Sequence, residues 1–337
     1  MKKLFAFLLA MTMLFAFAAC TAPAAEVPAV DKTSGQEEDS LSISSLARLI
    51  MVTGGDSGTY YAFGGVIANV LSSTVDNLEI TAVTSGASAA NCRSLNNGEA
   101  DLAVMQNDVL DYAVTGTETM AEDGAMPKLR AIASLYPEAV QLVALKSANI
   151  HSIADLKGKR VCVGDQGSGS ETNAKQVLEA YGLSYDDFDV QYLSFSEAST
   201  AMQNGTVDAA FATSALPNSA IQELSKMKEI VVIPIDGEGA DKLLEKHPFY
   251  AKTVIPAATY GVNEAETVAM LATLVCSEDL DEAVVYQITK HLFEEQPAMA
   301  AGHARGGDLD INKALDGVTV DFHDGALRYY REQGVID

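Results

Sequence analysis

The feature that most constrains this chain is that it repeats itself. Ser57-Gly58-Thr59 returns as Ser168-Gly169-Ser170. Asn97-Gly98-Glu99-Ala100-Asp101-Leu102-Ala103 returns as Asn204-Gly205-Thr206-Val207-Asp208-Ala209-Ala210, in the same order and at nearly the same offset. Each copy also reads the same way in secondary structure. In the first, the apolar run Leu49 to Val52 predicts a strand, and Phe63, Val66, Ile67, Val70 and Leu71 mark one face of a helix. Leu78 to Val83 and Asp101 to Met105 predict two further strands, with the intervening helix stopped at Asn97-Gly98. In the second, strands are expected at Arg160 to Val163, Val190 to Leu193 and Ala209 to Ala212, with a helix over Thr172 to Tyr181. Pro217 suits the first turn of another helix. Two βαβαβ units imply an α/β protein with two open, mostly parallel lobes.

Ligands of such sheets bind outside the carboxyl ends of the strands. In both copies those ends carry Gly, Ser, Thr, Gln and Asn: Ser57 to Thr59, Ser85 to Ser88 and Gln106-Asn107 in the first, Gly167 to Ser170, Ser194 and Thr213-Ser214 in the second. Two facing crevices make a cleft between lobes. The loops before Thr59 and Glu171 each precede a helix, whose free N–H groups and positive end receive an anion. Ordinary N-capping by Ser and Thr would produce the same residues, but it does not require them at equivalent points of a repeat. Neither loop contains Lys or Arg, so a Walker loop is excluded, and Gly167-x-Gly169-x-x ends on Thr172 where a dinucleotide fingerprint needs Gly. A small carboxylate fits better than a phosphate. Tyr60 and Tyr61 supply a flat wall with a polar tip, and the alternation leaves open which of them faces the ligand. Asp56 and Glu171 neighbour the loops, as partners for a ligand ammonium or as solvated first-turn acids. Tight binding would need both lobes, with crossovers expected near Tyr136 to Leu145 and again near Ile230 to Ile255.

Charge narrows the partners. Lys and Arg total 22 against 46 Asp and Glu, a formal charge of -24. Nucleic-acid binding rests on neutralising phosphates with basic side chains, so it is excluded as a class. Met1-Lys2-Lys3, the apolar run Leu4 to Phe17 and Ala18-Ala19-Cys20 predict a secretory signal peptide over residues 1–19. The Cys after small residues resembles the bacterial lipobox, which implies lipidation of Cys20 and a membrane-anchored, extracytoplasmic protein. Residues 20–47, rich in small residues with Pro23, Pro28 and Gly35, read as a flexible linker. Cys92, Cys162 and Cys276 remain: Cys162 reads as core, and a Cys92–Cys276 bridge stays open.

Signatures of catalysis are weak. Ser225-x-x-Lys228 lacks its companion motifs, and Asp308-x-Asp310-x-Asn312 lacks the Gly and Glu of a calcium loop. His151, His247, His291, His303 and His323 read as surface or capping residues, with no zinc spacing. The expectation is a binding protein rather than an enzyme, with no cofactor and no metal.

Blocks at Val52 to Tyr61, Asn96 to Asp108, Ile153 to Val161, Gly167 to Thr172 and Asp324 to Gly334 resemble the TAXI family, the TRAP-associated extracytoplasmic immunogenic solute receptors. The resemblance implies a two-lobe, type II periplasmic-binding-protein fold: residues 48–140 and 250–337 as lobe 1, 141–249 as lobe 2. It implies a monomer that hands glutamate, glutamine or a dicarboxylate such as 2-oxoglutarate to a TRAP-type membrane permease. It implies a site of Ser57, Gly58, Thr59, Tyr60, Ser85, Ser88, Gln106, Ser168, Gly169, Ser170, Thr172 and Thr213. The alternative is an ABC-importer receptor of the same fold, for a thiamine-precursor-like pyrimidine or another small organic ligand.

Overall fold

The computed structural model describes residues 41–337; the expected signal peptide, Cys20 and most of the expected linker lie outside the described residues. All ten strands of the described residues join one mixed sheet that the chain builds twice over. In lobe 1, β1 (Ala47–Val52) pairs in parallel with β2 (Leu78–Val83) and β3 (Leu102–Gln106). In lobe 2, β5 (Arg160–Cys162) pairs in parallel with β6 (Asp189–Gln191) and β7 (Ala209–Ser214). Two long strands tie the halves together. β4 (Leu129–Leu145) pairs antiparallel with β10 (Ala265–Ser277) over Leu129 to Ala139, then with β7 over Ala139 to Ala144 and with β8 (Ile230–Ile233) over Leu142 to Leu145. β10 pairs antiparallel with β9 (Ala251–Ile255) through Ala269, then with β3 from Ala272. Lobe 1 therefore runs β2-β1-β3-β10-β4 and lobe 2 runs β6-β5-β7-β4-β8, the same order with the incoming crossover strand in the same place.

Helices cover both faces of each half-sheet, so the strands are apolar on both sides rather than alternating. In lobe 1, α1 (Thr59–Thr74) buries Phe63, Ile67 and Leu71 with Tyr136 and Tyr330 on one face. On the other face α2 (Ser88–Asn96) and α3 (Asn107–Thr115) bury Cys92, Leu95, Val109 and Leu110 against Met105. In lobe 2, α4 (Gly169–Ala180) packs Val177 on Val161 and Phe211, while α5 (Phe195–Gln203) and α6 (Ser219–Met227) pack Met202 and Leu224 on the opposite side. The C-terminal segment returns to lobe 1, where Val285 and Tyr329 join its core.

Four expectations are corrected and one open question is answered. Leu41 and Ile43 are buried in the lobe 1 core, and Gln287 Nε2 and Asn77 Nδ2 donate to their carbonyls at 2.9 and 2.8 Å, so the end of the expected linker is docked. The return to lobe 1 comes after residue 250: Ile255, Tyr260 and Ala265 pack in lobe 2, and the second crossing is made within β10. The apolar run Ile230 to Ile233 is the outer strand of lobe 2, which looks like a crossover only because its neighbours are also buried. Pro217 precedes α6, whose cap is Asn218. Finally, Cys92, Cys162 and Cys276 are all buried and free, so no Cys92–Cys276 bridge forms.

Candidate ligand-binding cleft

The strand ends of both lobes converge on one cleft. It is lined from lobe 1 by Gly54, Gly55, Ser57, Gly58, Thr59, Tyr60, Ala87, Ser88, Gln106 and Glu138, and from lobe 2 by Asp165, Ser168, Gly169, Ser170, Phe195 and Thr213. Of the residues expected from the sequence, only Ser85 and Thr172 stand outside this lining. Ser85 Oγ instead donates to Asn91 Oδ1 at 2.6 Å and accepts from Ala87 N–H, holding the loop before α2. Thr172 is turned to Thr119 Oγ1 at 3.4 Å. Tyr60 is buried against the cleft and Tyr61 is 39% exposed, which assigns the facing ring.

The lobes are drawn together. Ser219 Oγ donates to Ser57 O at 3.0 Å, and Gln106 Nε2 donates to Asn173 Oδ1 at 3.0 Å. Asn173 Nδ2 in turn donates to Asp108 Oδ2 at 3.2 Å and to Tyr250 Oη at 3.0 Å, and Gln176 Nε2 donates to Tyr112 Oη at 3.1 Å. At Gly169 the approach is so close that a Cβ would run into the Gln106 carboxamide. The cavity between the lobes is about 40 Å³, against roughly 300–1,000 Å³ for pockets that hold small molecules. Entry of a solute therefore requires the lobes to part.

Inside the cleft, polar atoms are left over. Ser57 Oγ, Gln106 Oε1 and Thr213 Oγ1 are buried without a hydrogen-bond partner. Such orphans are uncommon in folded proteins, because each costs about 1–3 kcal/mol of desolvation. Three of them around one cavity are free to meet a ligand's polar groups.

The floor of the cleft holds a residue that sequence reasoning missed. Glu138 lies on β4 where the strand passes from lobe 1 to lobe 2, next to Ala139, which pairs with Ser214. It is 1% exposed, and Tyr60 Oη donates to its Oε2 at 2.6 Å. Burial pushes its carboxyl up to about 8, against the opposing bond from Tyr60. Burial also raises Asp165. A signal for Glu138 was present: it is the one charged residue in the apolar run Ala131 to Leu145. The acids that the sequence did single out are engaged elsewhere. Asp56 accepts from Ser196 Oγ at 3.3 Å, and Glu171 accepts from Gly167 N–H at 2.5 Å.

Among the described residues no group of His, Cys, Asp and Glu is placed to hold a metal ion, and no helix is long and apolar enough to cross a membrane. His303 and His323 accept from the backbone N–H of Arg305 and Gly325, while His247 is buried beside Tyr112.

With this geometry in view, a family model described as the NMT1-like family matches residues 51–334. The chain belongs to the NMT1-like family. Its fold is shared with solved solute-binding proteins at low identity. One is a binding-protein component of an ABC phosphonate transporter from Pseudomonas aeruginosa: TM-score 0.53, 13% identity, covering 77% of this chain and 79% of that one. Another is a candidate L-cystine ABC transporter protein from Listeria monocytogenes: TM-score 0.51, 14% identity, covering 79% of this chain and 98% of that one. These likenesses show the two-lobe α/β periplasmic-binding-protein fold. The resemblance to TAXI receptors is corrected by the same findings, and the TRAP-type permease partner is withdrawn with it. Three of the blocks that carried the resemblance, over residues 52–61, 96–108 and 167–172, centre on helix starts and strand-ending turns. The fold itself asks for Gly, Ser, Thr and Asn there, so they do not separate one receptor family from another.

Proposed function

We propose that this NMT1-like protein is an extracytoplasmic solute receptor that closes around one small carboxylate-bearing solute and delivers it to the membrane subunits of an ABC-type importer. The observation that carries the reading is the convergence of Ser57 Oγ, Gln106 Oε1 and Thr213 Oγ1, unpartnered, between the lobes. The lobe 1 loop is the seat for the carboxylate: α1 begins at Thr59 on an uncapped Gly58, so its first N–H groups and positive end are available. The absence of a nucleophile–base pair among the lining residues favours binding over catalysis. Lipidation of Cys20 would keep the receptor beside its importer.

The reading is tested by thermal shift and calorimetry of the mature protein against a panel of amino acids, monocarboxylates, dicarboxylates and neutral sugars. A carboxylate-bearing compound should bind and raise the melting temperature, while sugars should not. Binding by sugars alone would overturn the carboxylate seat.

A further inference from the structure

The lining of the cleft is one-sided in a way that the carboxylate seat does not explain. Among the described residues that line it, none is Lys, Arg or His, and two are acids, Glu138 and Asp165. The oxygen of Gln106 that lacks a partner is an acceptor, because its Nε2 is already committed to Asn173. Glu138 is held in place from one side only, by Tyr60 through Oε2. Arg93, whose guanidinium lies beside Gly167, is paired with Asp123 at 2.7 Å. A dicarboxylate would place a second carboxylate beside this buried acid with no cationic side chain in the lining to meet it, which a low-dielectric site penalises.

We infer that Glu138 is the subsite for a protonated amine, so that the solute is a zwitterion carrying both an ammonium and a carboxylate rather than a dicarboxylate. The inference rests on the receptor reading above and adds the second half of the ligand. The two ends divide between two places in lobe 1. The carboxylate meets the start of α1, and the ammonium meets Glu138 at the crossover, with Gln106 Oε1 as a further acceptor. Because Glu138 belongs to β4, which runs on into lobe 2, a charge pair formed there sits on the hinge that closure bends.

Binding would carry a protonic signature. In the closed cleft, where burial raises its carboxyl to about 8, Glu138 favours the protonated form at neutral pH. An arriving ammonium favours the carboxylate, so the Glu138 proton leaves to solvent and a charge-assisted hydrogen bond forms in its place. A second ligand carboxylate would act the other way and keep the proton on.

The experiment measures calorimetric affinity for the proteinogenic amino acids and for the 2-oxo acids of the same carbon skeletons. For the best amino acid it is repeated at pH 7 in phosphate and in Tris. The expected result is an amino acid that binds at least about tenfold more tightly than its 2-oxo acid, with net proton release. Glu138→Gln should then weaken that amino acid by roughly 10- to 100-fold and remove the proton release. A 2-oxo acid that binds as tightly as its amino acid, or proton uptake on binding the amino acid, overturns the inference while leaving the receptor reading in place. Binding by neither class overturns both. The buffer comparison uses the unaltered protein, so it decides the matter even if Glu138→Gln folds poorly.

Discussion

The two lobes share a strand order but not the way their helices begin. In lobe 2, each of the three helices that follow β5, β6 and β7 is capped by its own sequence. Ser168 accepts from Glu171 N–H, Ser194 and Glu197 form a capping box, and Asn218 accepts from Ile221 N–H. In lobe 1 the equivalent helices start on Gly58, Ala87 and Gln106, and none of these supplies a side-chain cap. Ala87 also sits at φ 64°, ψ -150°, a region that essentially only Gly occupies without strain. A cap contributes about 1 kcal/mol, so lobe 1 forgoes stabilisation at three places that converge on the cleft. Departures from local preference of this kind concentrate at functional sites. We read lobe 1 as the more receptive half, with helix ends left for a ligand. Lobe 2, whose helix starts are capped, offers Thr213 Oγ1 as its unpartnered group and is proposed to be the half that closes.

The harshest way to break this division of labour is to stop closure from the lobe 2 side. Gly169→Val places a branched side chain where Gln106 docks, and it should abolish calorimetrically detectable binding while the melting temperature of the free protein changes little. Retained binding would mean that the lobes do not need to meet there.

A finer comparison substitutes the two matched serines. Ser57→Ala should weaken binding by roughly 1–3 kcal/mol, the range for a lost polar partner, with stability nearly unchanged, because Ser57 Oγ has no partner within the protein. Ser168→Ala should do the reverse, costing about 1 kcal/mol of stability through the lost cap and little affinity. If both variants behave alike in calorimetry and chemical denaturation, the lobes are equivalent after all.

Protons give a further handle, since burial raises acids on both sides of the cleft, Asp165 among them. Burial pushes Glu138 up to about 8 and Asp108 up to about 7, and both belong to elements of lobe 1. Between the ordinary carboxyl range and these values, the folded protein holds protons that the unfolded chain has released. Their contribution is therefore favourable at acid pH and is lost as pH rises from about 5 towards 8, by at most about 1.4 kcal/mol per pH unit for each group. Glu138→Gln should gain stability relative to the unaltered protein over that range in denaturant titrations. A constant difference between the two from pH 5 to 8 would contradict the burial of the charge.

Much of this was legible in the sequence, for reasons that particular residues make plain. The repeat of Ser57 to Thr59 at Ser168 to Ser170 located both loops, because helix starts beside strand ends demand small and hydroxylated residues wherever they occur. That generality also misled. Ser168 and Ser170 look like Ser57 and Thr59, yet Ser168 caps its own helix and Ser170 Oγ accepts from Thr213 N–H at 2.9 Å. Glu138 was not read as part of the site because it comes from a crossover strand, outside either repeat, and only the sheet order brings it under Tyr60. The late return through β10 was hidden for a related reason. Apolar runs such as Ile230 to Ile233 and Val268 to Val275 look alike in composition, and pairing partners far away in sequence decide which of them crosses.

The central claim is that one solute is held by both lobes at once, seated on the first and covered by the second. Amide hydrogen exchange, with and without the amino acid that binds best, tests it most directly. Exchange should slow together at the start of α1, over residues 57–62, and at the start of α4, over residues 168–172. Protection confined to one of these two segments under saturating ligand would place the site within a single lobe and contradict the account.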